Sequence, residues 1–79
     1  MPNPFNEKTS ITFYLPVDCN VRISVYNLLG DVIEELVSGQ YVAGKYTVEF
    51  DASGLPSGNY FYKFVSDEFV TTKVMNLNK

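Results

Sequence analysis

The sequence predicts an all-β domain, an antiparallel sandwich of about six or seven short strands. Apolar residues recur at every second position through most of the chain, which is the spacing of a strand with one buried face. Turn-forming residues interrupt this alternation at intervals of about 8–12 positions. At 79 residues the chain has room for one domain, which we expect to span residues 1–79.

Two strands are predicted in the first third of the chain. Residues 10–15 alternate apolar with polar side chains, and Pro16, which has no backbone donor for a sheet ladder, ends the strand. Residues 21–26 show the same alternation with β-branched residues on the apolar face. Cys19 lies between them among short polar residues, so we expect it in a turn; as the only cysteine it allows no internal disulfide.

The middle of the chain is less regular. Residues 27–31 predict a hairpin turn in which Gly30 supplies the positive φ of a tight reversal. The apolar residues between positions 32 and 37 form two adjacent pairs, a pattern that fits a strand with a bulge. Residues 38–44 begin and end near glycines and are predicted to form a loop.

The second half contains the clearest strand, at residues 45–50. Residues 51–58 predict a crossover between sheets with Leu55 plugged into the core, because Gly and Pro break any regular structure there. Strands follow at 60–65 and from Phe69 to about Leu77, and the polarity of the last one does not indicate which face is buried. A long crossover before the penultimate strand indicates Greek-key order, as in immunoglobulin-like sandwiches.

The predicted core is one cluster. It takes the apolar face of the clearest strand together with residues from two other strands. The members are Val25, Tyr46, Val48, Phe50 and Tyr60.

The composition excludes several classes of function. The chain has no histidine, the commonest general base and metal ligand, and we expect no catalytic residue, metal or cofactor. A net charge of -3 without a basic cluster argues against a nucleic-acid partner. No apolar run approaches the roughly 20 residues of a membrane span. No signal peptide follows Met1, so an export signal would lie on a longer parent protein.

Two non-catalytic functions remain open from the residues alone. The domain could be a structural spacer in a multidomain secreted enzyme. It could also be a carbohydrate-binding module, because Tyr14, Tyr26 and Phe61 are predicted on outward faces and an exposed aromatic ring can stack on a sugar. We favour ordinary cross-strand packing for these three side chains.

A series of short motifs extends in a fixed order through nearly the whole chain. They are Pro2-Asn3-Pro4-Phe5-Asn6, Thr9, Ile11, Leu15-Pro16, Val25-Tyr26-Asn27, Leu29-Gly30, Gly44-Lys45-Tyr46, Asp51-Ala52, Gly54-Leu55-Pro56-Ser57-Gly58, Tyr60 and Lys73-Val74-Met75. Their order and spacing resemble the type A C-terminal sorting domain of the type IX secretion system of Bacteroidetes. The pattern is also similar to the immunoglobulin-like domain of flagellar hook-capping proteins.

The resemblance implies a function in export. The domain would be the C-terminal address of a larger cargo protein, read by the type IX translocon in the periplasm and then removed by a sortase-like peptidase. The cargo would reach the cell surface or be secreted. The family pattern marks Gly58, Tyr60, Lys73, Val74 and Met75 for translocon recognition. Their structural alternatives are a turn for Gly58, the core for Tyr60 and the inward face of the last strand for Val74.

Overall fold

The computed structural model describes residues 8–77, which form six strands in two antiparallel sheets. The strands are β1 (Lys8–Leu15), β2 (Cys19–Tyr26), β3 (Val32–Tyr41), β4 (Gly44–Asp51), β5 (Gly58–Ser66) and β6 (Val70–Leu77). β1 pairs with β4 in one sheet, and the other has the order β3-β2-β5-β6. Both buried clusters contain side chains from both sheets, so the predicted sandwich is confirmed.

The chain changes sheet after β1, after β3 and after β4. The last change uses the predicted crossover, where the Asp51 carboxylate accepts a hydrogen bond from the Ser53 amide at 3.0 Å. Leu55 packs against a buried cluster, as predicted. Beyond the crossover the Tyr60 hydroxyl donates to the Pro56 carbonyl at 2.7 Å. A tyrosine that bonds back to the backbone just upstream is a feature of immunoglobulin-like sandwiches.

Two predictions about segments between β1 and β4 were wrong. Residues 38–41 are not a loop but the last four residues of β3, which leaves a connection of only two residues before β4. Cys19 is not in a turn: it begins β2, pairs with Tyr41 and is buried. Pairing with β2 satisfies the backbone groups of residues 38–41, and this outweighs the turn preference of Gly39.

The bulge predicted in β3 is confirmed, and the strand contains two. The pairing with β2 skips Leu36 at the first and Ile33 at the second. Each extra residue shifts the alternation by one position. The shifts bring Ile33, Leu36 and Val37 to partly or fully buried positions, which accounts for two adjacent apolar pairs in one strand.

The core consists of two clusters where one was predicted. Tyr46 and Val48 pack on the first, whereas Phe50 and Tyr60 belong to the second. The buried members of the first are Ile11, Phe13, Leu15, Cys19, Val21, Ile23, Val37 and Phe64; those of the second are Val25, Phe50, Ala52 and Tyr60. Tyr46 and Phe50 are separated along β4 by about 13 Å, too far to contact the same side chains. Tyr62 packs against both clusters.

The hairpin turn between β2 and β3 forms as predicted. Gly30 has φ 91°, a left-handed conformation that favours glycine. The Asn27 side-chain oxygen accepts hydrogen bonds from the amides of Leu29 at 2.9 Å and Asp31 at 3.0 Å. These bonds replace ladder bonds at the reversal.

Candidate recognition surfaces on the β5-β6 hairpin

The residues marked for recognition all lie on one hairpin, formed by β5 and β6. Tyr60 pairs with Met75, and the next two pairs bring Val74 opposite Phe61 and Lys73 opposite Tyr62. Successive side chains of a strand point to opposite faces. The marked residues are therefore neighbours along the chain but are divided between the inner and outer faces of the sheet.

Gly58 and Tyr60 both have structural features. Gly58 begins β5, so it does not lie in the turn expected from the structural alternative. Its φ is 148° and the space around it is open, so its contribution is a backbone conformation that other residues rarely adopt. Tyr60 is buried in the second cluster, and its hydroxyl is bonded to the Pro56 carbonyl. Neither residue presents much side chain to a partner.

β6 turns Val74 outward, contrary to the structural alternative that placed it inward. Val74 is 74% exposed, whereas Met75 packs against the second cluster. Lys73 is on the same inner face as Met75 by alternation, yet it is exposed. The inner face of β6 is therefore covered near Met75 and open near Lys73.

An apolar row crosses the outer face of the four-stranded sheet. Val32, Tyr26, Phe61 and Val74 are successive partners on β3, β2, β5 and β6. The rings of Tyr26 and Phe61 stack with centroids 5.6 Å apart, which confirms cross-strand packing for these two side chains. Val32 and Val74, at the ends, are 59% and 74% exposed. We call these four residues the outer row.

The outer row is bordered by polar residues. One flanking row is Glu35, Ser24, Lys63 and Thr72 in the same strand order. On the other side the Asn76 amide donates to the Asn59 side-chain oxygen at 2.6 Å. Four strands spaced about 4.8 Å apart make the row about 14 Å long. An apolar row with a polar border is typical of a protein interaction site.

The third outward aromatic, Tyr14, lies on the other sheet. It is 64% exposed, and the Lys45 ammonium stands 5.8 Å from the centre of its ring. Tyr14 therefore does not share a face with the outer row. The three aromatics that suggested a sugar-binding surface are divided between the two sheets.

A groove of about 310 Å³ runs along the edge of β1 that faces away from β4. Its floor is aromatic, and Lys73 lies at its β6 side. We call it the edge groove. Its lining residues are Ile11, Thr12, Phe13, Tyr14, Tyr62, Phe64, Phe69, Thr71 and Lys73.

The single thiol, that of Cys19, is buried, and its surroundings make it a weak nucleophile. Burial raises the pKa of the Cys19 thiol above its ordinary value of 9.0, and the negative charges of Asp67, Glu68 and Asp18 raise it further. A higher pKa leaves less of the nucleophilic thiolate at neutral pH. Within residues 8–77, no three metal-ligating side chains come together and no helix is long and apolar enough to span a membrane.

Comparison with known proteins identifies a family. The sequence model of the secretion system C-terminal sorting domain matches residues 1–77. No curated protein and no solved structure matches the chain.

Proposed function

The chain belongs to the family of secretion system C-terminal sorting domains, and we propose that the type IX machinery reads it on the outer face of the β5-β6 hairpin. As a sorting signal of this family it directs a cargo to the cell surface or the extracellular space by engaging the type IX secretion machinery. The family acts as a signal and is not catalytic. Residues 1–79 then form one sorting domain at the C-terminal end of a longer secreted protein.

The observation that carries the proposal is the outer row, which ends at Val74. Aromatic residues are enriched in interaction surfaces, whose rims are polar, and the solvated face of an antiparallel sheet commonly carries polar residues. Tyr26 and Phe61 present one rigid stacked pair, so little side-chain entropy is lost on contact. Lys73, Val74 and Met75 then act together, with Val74 touching the partner and Met75 anchoring β6 to the core.

The route follows from the same proposal. The cargo precedes the domain, and the two pass through the periplasm before the translocon exports them. A sortase-like peptidase removes the domain at the surface, so the domain is the substrate of that reaction and has no enzymatic activity of its own. The absence of histidine from the chain agrees with this role.

An export assay tests the proposal. Residues 1–79 are fused behind a periplasm-directed fluorescent reporter in a bacterium with a type IX system. The reporter should reach the surface or the medium only while the translocon is intact. Deleting residues 73–79 removes five of the eight residues of β6 and should leave the reporter in the periplasm.

Single substitutions separate recognition from folding. Val74→Asn removes the exposed end of the outer row and should reduce export several-fold. Thr72→Asn is the matched control, since Thr72 lies on the same face of β6 but in the polar flanking row. Lys73→Ala changes an exposed side chain, so it should alter stability by no more than about 0.5 kcal/mol, and any loss of export reports on recognition. Equal export of the Val74 and Thr72 variants would refute the role of the row.

The spacer function makes the opposite prediction. An intact fusion that remains periplasmic in several hosts with a working type IX system would favour a structural spacer. The carbohydrate-binding alternative has less support because Tyr26 and Phe61 are stacked on each other and Tyr14 lies on the other sheet.

A further inference from the structure

The sandwich is incomplete along one side. One sheet has four strands and the other has two, so the small sheet cannot cover the whole inner face of the large one. β1 pairs with β4 and leaves its other edge without a partner among the described strands. The position beside β1, above β5 and β6, is where a third strand of the small sheet would lie. The edge groove occupies that position.

The groove follows the backbone of β1. Its wall includes four consecutive residues, 11–14, and so both the inward and the outward side chains of the strand. A surface that touches both sets runs along the strand edge, where unpaired amide and carbonyl groups are presented. An extended chain in the groove would meet a ready hydrogen-bonding partner.

The floor of the groove is apolar and partly uncovered. The rings of Phe64 and Phe69 stack with centroids 5.3 Å apart, and Phe69 is 44% exposed. Phe13 contacts Phe64 edge-on at 5.3 Å. Side chains placed above these rings would be removed from water, and burial of apolar surface favours association.

The charge of the groove is positive. Lys73 is its one charged lining residue. Within the part of the chain that the structure describes, the single ion pair joins Arg22 to Glu35, so Lys73 has no carboxylate partner there. A ligand that placed a carboxylate beside Lys73 would complement this charge.

We propose that the edge groove binds an extended segment of a partner protein, which pairs with β1 and completes the small sheet. Its inward side chains alternate apolar groups with a carboxylate beside Lys73. The inference rests on the proposed function, because the partner is then a component of the secretion machinery. Recognition has two parts: the outer row on one face of β6 and the edge groove on the other.

A second copy of the chain fits the groove less well. Nine residues line it, whereas a stable interface takes about 20–30 residues a side. None of the lining residues is acidic, so two grooves facing each other would bring two Lys73 ammonium groups together. A single strand with a carboxylate satisfies both the size and the charge.

Peptide binding to the complete 79-residue chain tests the proposal. The probe is the acetylated, amidated peptide Thr-Val-Thr-Asp-Thr-Val-Thr, which carries the alternation and the carboxylate. Titration followed by amide nuclear magnetic resonance should show saturable binding in the micromolar to millimolar range, with shifts in residues 11–14 and 71–73. Methylating the peptide nitrogens that face β1 should abolish binding, and methylating those that face away should not. No saturable shift, or equal effects of the two methylation patterns, would overturn the proposal.

Two neighbouring threonines provide matched variants. Thr71 lines the groove and Thr72 is on the opposite face of β6. Thr71→Trp should fill the groove, weaken peptide binding at least tenfold and reduce export, whereas Thr72→Trp should leave peptide binding unchanged. A second variant, Lys73→Glu, changes an exposed charge and should reverse the preference, so that a peptide with Lys in place of Asp binds better. Equal losses for both tryptophans, or no reversal, would overturn the proposal.

The outcomes separate this inference from the proposed function. If the intact fusion is not exported, the sorting function fails whatever the peptide does. If it is exported, and export of Thr71→Trp is normal although that variant no longer binds the peptide, the groove is not used and the inference fails alone. A dimer joined through β1, or nuclear Overhauser contacts between residues 1–7 and Phe64, would show that the chain itself fills the groove and would also overturn it.

Discussion

The two long sides of the sandwich differ in how completely they are closed. On the β3-β4 side, Tyr41 meets Tyr46 edge-on at 5.1 Å, Phe13 stacks on Tyr46 at 5.3 Å, and Val37 is 3% exposed. On the β1-β6 side, Phe69 is 44% exposed and Lys73 stands beside an open groove. The core is therefore covered on the β3-β4 side and partly exposed on the β1-β6 side.

This difference assigns the two roles of the domain to different places: the covered parts stabilise the fold, and the open side is available for recognition. The closed side and the second cluster hold buried side chains such as Val37 and Phe50, while apolar surface at Phe69 on the open side is partly exposed and available to a partner. Under the proposed function the contact with the secretion machinery is transient, and such contacts are smaller and more polar at their border than permanent ones. An apolar floor beside an unpaired strand edge suits such a contact.

The largest effect expected from this comparison is at Phe50, which is 1% exposed in the second cluster. Phe50→Ala should lower the free energy of unfolding by about 3–5 kcal/mol, enough to unfold a domain of this size. The matched variant on the open side is Phe69→Ala, which should cost about 1 kcal/mol or less because the ring is half exposed. Urea denaturation measures both. Similar losses for the two would show that the open side contributes to stability as much as the buried second cluster does.

A smaller effect is expected from replacing valine by threonine, which keeps the shape of the side chain but exchanges one methyl group for a hydroxyl. At Val37 the hydroxyl would be buried on the closed side, and the variant should lose about 1–3 kcal/mol. At Val74, which is 74% exposed, the same change should stay within about 0.5 kcal/mol. Thermal unfolding followed by circular dichroism compares the two, and a loss of 1 kcal/mol or more at Val74 would contradict its outward placement.

The contrast between the sides also explains what the sequence predicts well. The alternation of apolar and polar residues predicts β1, β2, β4 and β5 correctly because each of these strands has one covered face. It did not assign the faces of β6, where Thr71 and Lys73 are polar although they lie on the inner side. Those positions border the groove, so nothing there requires an apolar residue, and the pattern disappears where the sandwich is open.

Other features depend on pairing between distant strands. The outer row is visible only after its strands are brought into register, because the sequence places only Tyr26 and Val32 close together, on either side of the predicted hairpin turn, and Phe61 and Val74 are distant from them. The division of the core into two clusters depends on the same register. β3 extends to Tyr41 because its last residues pair with β2. The glycines in this segment predict a loop, so the sequence alone does not indicate the pairing.

The smallest effect concerns Cys19, which pairs with Tyr41 on the closed side. Its thiol has a pKa above the ordinary 9.0 in the folded chain, chiefly through burial and then through nearby carboxylates. The unfolded chain therefore releases this proton at a lower pH than the folded one. The stability that the protonated thiol contributes is complete below the unfolded pKa and is lost as the pH rises through the folded pKa.

The urea midpoint of the wild type should accordingly fall more steeply than that of Cys19→Ala above pH 9.0, and the two should run parallel below it. Comparing slopes removes the constant effect of the smaller side chain and the titration of groups common to both proteins. Alkylation at pH 8 should also be slow in the folded chain and fast in urea, because only opening exposes the thiolate. Parallel curves above that pH together with rapid native alkylation would place the thiol at the surface and contradict the closed packing between β2 and β3.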